Sequence, residues 1–110
     1  MTLTTHVLDT STGAPAEGVA IVLYAVDGAT RTALGRASTN ADGRTDEPLS
    51  EALAFGLYEL TFVVAPYFAA RSVATFYDEI TIRFRIDAGA RHYHVPLLLA
   101  PWGYSTYRGT

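Results

Sequence analysis

Between residues 77 and 87 the sequence alternates almost without interruption, with Ile80, Ile82, Phe84 and Ile86 at one parity and Thr81, Arg83 and Arg85 at the other. A period of two is the mark of a half-buried strand, because successive side chains leave a strand by opposite faces. One strand cannot cover its own apolar face, so the rest of the chain must supply a second layer. The pattern returns at residues 57–64, where Tyr58, Leu60, Phe62 and Val64 share one face and Glu59 and Thr61 the other. It returns more loosely at 3–9, with His6 in mid-strand on the same face as Leu8. Residues 19–26 are apolar without clean alternation, as expected of a strand covered on both sides, and 30–39 form the returning strand after an Asp27-Gly28-Ala29 turn. Turn clusters at 10–15, 40–43 and 87–89 punctuate these runs. Residues 47–56 read as a connecting loop. Residues 66–73 read as the one helix, since a proline at its first turn forfeits no hydrogen bond. The expected fold is an all-β, antiparallel sandwich of two sheets, with seven to eight short strands and one short helix.

The length of 110 residues fits one domain, and a hydrophobic fraction of 49% supplies a core. Charged residues make up only 17% and the net charge is −3, so there is no basic field for nucleic acid or an anionic membrane. Low charge with seven tyrosines points instead to surface buried against other subunits. The absence of cysteine excludes disulfides and thiolate chemistry. The amino-terminal residues lack the basic and apolar regions of a signal peptide, and the run at 19–26 is too short to span a bilayer, so the expected location is the cytoplasm.

The chemistry-bearing residues concentrate in 91–110, RHYHVPLLLAPWGYSTYRGT. Residues 91–100 read as one strand with Tyr93, Val95, Leu97 and Leu99 on one face and His92 and His94 on the other. Pro96 has no amide donor and places that strand near an edge or a bulge. Residues 100–103 read as a turn, for which Trp102 is an anchor, and 104–107 as a short strand with Ser105 and Tyr107 on one face. Imidazoles near neutral pH can take or give a proton. Arg44, directly after Gly43, reads by itself as a solvated turn arginine; in company with histidines, its forked donors suit a planar ligand bearing carbonyl oxygens. A His-x-His pair with His6 as a third ligand could also hold zinc or copper, although no fourth ligand stands at a recognisable spacing. Without a metal, His92 is a supporting or surface residue. Arg83 and Arg85 read as a solvated face.

Three short motifs, His6-Val7-Leu8-Asp9, Gly43-Arg44-Thr45-Asp46 and the terminal Tyr107-Arg108-Gly109-Thr110, occur in this order. Together they resemble the 5-hydroxyisourate hydrolases, the enzymatic branch of the transthyretin family, whose chains end in Tyr-Arg-Gly-Ser. Threonine stands here in the last place, keeping the hydroxyl and adding a methyl group. The resemblance covers essentially the whole chain and implies a transthyretin-like sandwich. It implies hydrolytic opening of a ring amide of 5-hydroxyisourate to 2-oxo-4-hydroxy-4-carboxy-5-ureidoimidazoline in urate degradation, with no metal and no organic cofactor. It further implies a homotetramer, a dimer of dimers with sites in the channel between them. Carried over position by position, the catalytic residues are His6, Arg44 and His94, with Thr110 in place of the terminal serine. The substrate-binding residues are His6, Arg44, Ser105, Tyr107 and Arg108. The alternative is a carrier of a small aromatic ligand, like transthyretin itself, which lacks these histidines.

Overall fold

The computed structural model describes residues 1–87 and 91–109. Ten strands and one helix follow in order: β1 (Thr2–Thr4), β2 (Val7–Asp9), β3 (Ala14–Pro15), β4 (Ala20–Asp27), β5 (Thr30–Ser38), β6 (Gly56–Val63), α1 (Ala65–Ala69), β7 (Glu79–Ile86), β8 (His92–His94), β9 (Leu97–Ala100) and β10 (Gly103–Thr106). One four-stranded sheet has the order β5-β4-β6-β7, a second β10-β9-β2-β3, and β1 pairs with β8. The β4–β5 hairpin closes with Asp27 opposite Thr30, and Gly28 at φ 60° supplies the left-handed residue this tight turn needs. Ile21, Leu23, Leu60, Phe62 and Ile80 of the first sheet meet Leu3, Val7, Tyr93, Leu97 and Leu99 of the other strands in one continuous core. Removing each such side chain from water contributes about 1.5–3 kcal/mol, and this burial enforces the alternation visible in 57–64 and 77–87.

The antiparallel expectation holds for the hairpins, but the two ends of the chain are joined by a parallel ladder. Thr2–Thr4 pair with His92–His94, and Val7–Asp9 with Leu97–Leu99. Both segments keep one register, so they are a single strand pair interrupted once. The interruption is why 3–9 and 91–100, each expected as one strand, appear as two. Ladder bonds persist from Val95 N–H to the Thr4 carbonyl (3.0 Å) and from Leu97 N–H to that of His6 (2.9 Å). Between them Pro96 can donate nothing. Facing it, the Thr5 hydroxyl donates to the Val95 carbonyl at 2.7 Å. His6 therefore lies in the gap between β1 and β2, not in mid-strand as expected. These divisions raise the strand count from the expected seven or eight to ten among the described residues.

Three further expectations are corrected. The helix ends at Ala69 rather than Val73, and β7 begins at Glu79 rather than Tyr77. Arg83 is not merely solvated: its guanidinium lies 2.7 Å from Glu59, whose other oxygen is 3.3 Å from Arg31, and Arg31 stacks on the Tyr24 ring. Those bonds, with Arg83 foremost, outweigh burial and hold the Glu59 carboxyl below its usual range. α1 is tied to β2 by Asp9, buried in the core, which accepts from the Tyr67 hydroxyl at 2.8 Å and from Ser11. Burial raises Asp9, and the Ser11 and Tyr67 hydrogen bonds more than offset it, while burial with the adjacent carboxylate pushes Tyr67 up to about 12. The expected 87–89 turn falls largely on residues 88–90, outside the described residues. No described helix is long and apolar enough to cross a membrane.

Candidate active site

The parallel register sets Thr4 opposite His94 and Thr2 opposite His92. Because residues two apart on a strand share a face, both imidazoles stand on the side away from buried Tyr93, stacked with centroids 6.3 Å apart and planes at 18°. Thr4 Oγ1 lies between them, 2.8 Å from His94 Nδ1 and 3.0 Å from His92 Nε2. Thr4, Thr5, His92 and His94 form one wall of a cleft of about 430 Å³, and residues 44–48 form the other. That volume lies in the ~300–1,000 Å³ range usual for small-molecule sites.

Arg44 reaches this cleft because the 40–43 turn is fastened on both sides. Asn40 donates its amide to the Arg44 carbonyl at 2.7 Å, and its side-chain oxygen accepts from the amides of Asp42 and Arg44 at 2.9 and 3.2 Å. Val7 N–H donates to the Gly43 carbonyl at 2.8 Å, pinning the turn beside β2. Gly43 has φ 75°, and a Cβ there would overlap the Val7 carbonyl oxygen and stand 3.2 Å from the His6 ring. Only glycine lets the turn approach so closely, and that approach sets His6 beside the base of Arg44.

The tail folds back on the same strand. Gly109 N–H donates to the His94 carbonyl at 2.7 Å, and a Cβ at Gly109 would come within 2.6 Å of the His94 ring. The Arg108 guanidinium lies 4.5 Å from the centre of the Tyr93 ring, and Thr106 Oγ1 donates to the Pro96 carbonyl at 2.7 Å. Tyr107 and Arg108 border a separate, mostly apolar hollow of about 240 Å³ with Ile82, Phe84, Arg85, Tyr93 and Val95. Within a single chain, then, Arg44 and His94 share one cleft with His6 adjoining, whereas Tyr107 and Arg108 line another. Ser105 is exposed on β10. Tyr107 lies beyond the end of β10, so it does not share a strand face with Ser105. Thr110 lies outside the described residues.

Three groups of basic character crowd His94. Burial first, then Arg44, His92 and His6, lower its pKa below the ordinary 6.5, so the ring is neutral at pH 7 and able to accept a proton. Among the described residues no three His, Asp or Glu side chains stand where they could share a metal ion. Thr4 was not singled out by the sequence reading. Its only signal was that Thr2, Thr4 and His6 share one parity, which acquires meaning once β1 is known to lie against β8.

A family model described as "Transthyretin: HIUase/Transthyretin family" matches residues 3–109. A 5-hydroxyisourate hydrolase of Deinococcus radiodurans is 54% identical over 113 residues, covering 98% of this chain and 95% of that protein. The solved structure of Klebsiella pneumoniae 5-hydroxyisourate hydrolase superposes with a TM-score of 0.87 at 43% identity, covering 99% of this chain and 98% of that one. Sea bream transthyretin in complex with thyroxine gives a TM-score of 0.92 at 24% identity, covering 100% and 96%, a likeness of fold alone.

Proposed function

The chain belongs to the HIUase/transthyretin family, and from that membership and the cleft chemistry we infer that it is a 5-hydroxyisourate hydrolase, opening the ring amide of its substrate with water. The observation that carries the reading is the cleft itself, where the neutral imidazole of His94 and the guanidinium of Arg44 face one volume of about 430 Å³.

Hydrolysis of a cyclic amide needs a base for water, an acid for the departing nitrogen and positive charge where the oxyanion develops. His94 is the base, because the same crowding that disfavours its cation leaves its lone pair available at neutral pH. Arg44 holds the substrate's carbonyl oxygens with its paired donors and stabilises the oxyanion. His6, seated between β1 and β2 beside the Gly43 turn, orients the ring. The reading needs neither a metal nor an organic cofactor, since His94 serves as base and, once protonated, as acid for the departing nitrogen, and Arg44 supplies the positive charge.

Tyr107, Arg108, Ser105 and Thr110 complete substrate binding in the assembled protein, a homotetramer built as a dimer of dimers. Support comes from the aromatic surface left open on one chain: Phe76 and Trp102 are 71% and 68% exposed with rings 6.5 Å apart, and Tyr77 and Tyr104 adjoin them. Edge strands β7 and β10 each have an unpaired side, a surface that pairs readily with another copy.

The test is the decay of ultraviolet absorbance of freshly prepared 5-hydroxyisourate. The wild-type protein accelerates it, His94→Ala lowers kcat by on the order of 10²-fold or more, and Arg44→Lys, which keeps charge but loses the fork, lowers kcat/KM. An absorbance decay no faster than in buffer overturns the assignment.

A further inference from the structure

Thr4 stands between two imidazoles with a single proton to give. A hydroxyl has one O–H and two lone pairs, so it can donate to only one of two ring nitrogens, and when it does so the other ring must present an N–H to it. Its contacts, His94 Nδ1 at 2.8 Å and His92 Nε2 at 3.0 Å, therefore couple the two rings, and whenever Thr4 donates to one of them their tautomers are complementary. One arrangement runs His94 Nδ1–H to Thr4 Oγ1 and Thr4 O–H to His92 Nε2, leaving an electron pair on His94 Nε2. The other runs in the opposite sense and leaves a proton there. Arg44, across the same cleft, disfavours the doubly protonated ring of His94.

We propose that Thr4 is a positioning residue that couples His92 to His94, setting the tautomer of His94 and relaying its proton to exposed His92. This rests on the reading of His94 as the base for hydrolysis. As water attacks, its proton bonds to His94 Nε2. The Nδ1–H bond of His94 breaks as that proton passes to Thr4 Oγ1, the hydroxyl proton passes to His92 Nε2, and His92 releases its Nδ1 proton to solvent. His94 then carries Nε2–H and is poised to protonate the departing nitrogen, the relay running in reverse with a proton returned through His92. The protein's charge is unchanged, the negative charge left by the released proton rests on the substrate oxyanion that Arg44 faces, and His94 need not persist as a cation. His92, which the sequence reading left as a supporting or surface residue, becomes the exit of the relay.

The groups that set the pH response around His94 are His92 on its own strand, His6 from the gap between β1 and β2, and Arg44, Asp46 and Glu47 from the opposite wall. Arg108, over the neighbouring Tyr93, is the nearest charge on the described tail.

The experiment compares wild type, Thr4→Val, which keeps the shape and removes the hydroxyl, and Thr4→Ser, which restores it. The readouts are kcat and KM against pH and the imidazole tautomers from nitrogen-15 chemical shifts without substrate. Thr4→Val is expected to lower kcat by roughly tenfold or more with little change in KM, to displace the acid limb of kcat, and to release the complementary tautomer pattern. Thr4→Ser is expected to recover most of each. The proposal is overturned if Thr4→Val leaves the tautomer pattern unaltered, or if Thr4→Ser is as impaired as Thr4→Val. A wild-type protein inactive on 5-hydroxyisourate would remove the functional reading instead, while the nitrogen-15 spectra still decide the coupling.

Discussion

The imidazole of His94 is held by four constraints of different kinds: the ladder beneath it, the Thr4 hydroxyl beside it, Gly109 packed on its ring, and the positive charge of Arg44. Because its pKa is lowered, the folded protein binds that proton less readily than the unfolded chain, and the neutral form dominates down to a pH below 6.5. Activity that depends on the neutral ring is therefore retained at pH 7 and lost as pH falls through the lowered value. A profile of kcat/KM against pH should place the midpoint of its acid limb below 6.5; a midpoint above that value would contradict the role given to His94. At this scale the sequence was informative about identity and weaker on neighbourhood. His92 and His94 on one face followed from parity alone. That Tyr107 and Arg108 border a different hollow from Arg44 did not, because a tail of mixed polar residues carries no pattern that fixes its path.

At the level of strands, alternation identified β6 and β7 within two residues, since each buries one full face and a one-residue slip would turn every apolar side chain to water. It joined β1 to β2 and β8 to β9, because a missing donor at Pro96 changes hydrogen bonding without disturbing the order of apolar residues. It also left Arg83 solvated, for strand order decides who its neighbour is. β6 lies between β4 and β7, which sets Glu59 beside Arg83 of β7, while Arg31 reaches it from β5 across β4. Glu59→Gln should destabilise the protein by about 1–2 kcal/mol, the cost of weakening partly exposed charge-assisted bonds, read as a lower urea midpoint at pH 7. Since the Glu59 pKa is depressed in the fold, its contribution is complete above the unfolded value of 4.5 and is lost as pH falls through the folded one. The difference between variant and wild type should therefore shrink in acid, and an unchanged difference would mean the ion pairs are not its source.

For the molecule as a whole, the exposed rings of Phe76 and Trp102 and the open edges of β7 and β10 set the expectation for assembly. Sedimentation should give a mass of four chains at micromolar concentration, and Trp102→Glu, which puts a charge on that surface without touching the cleft, should shift it toward smaller species. A wild-type monomer under the same conditions would refute the tetramer. The sandwich and its single domain were legible from short alternating runs between turn clusters. The parallel joining of the two termini was not, because pairing partners far apart in sequence leave no local trace. That joining has a kinetic consequence: the partners Thr4 and His94 lie at opposite ends of the polypeptide, and contacts of such high sequence separation slow folding. The hairpins can zip up early from neighbouring residues, whereas the cleft between Thr4, His94 and Arg44 comes into being only when the termini meet, so whatever chemistry it performs is a late acquisition that no half of the molecule can possess.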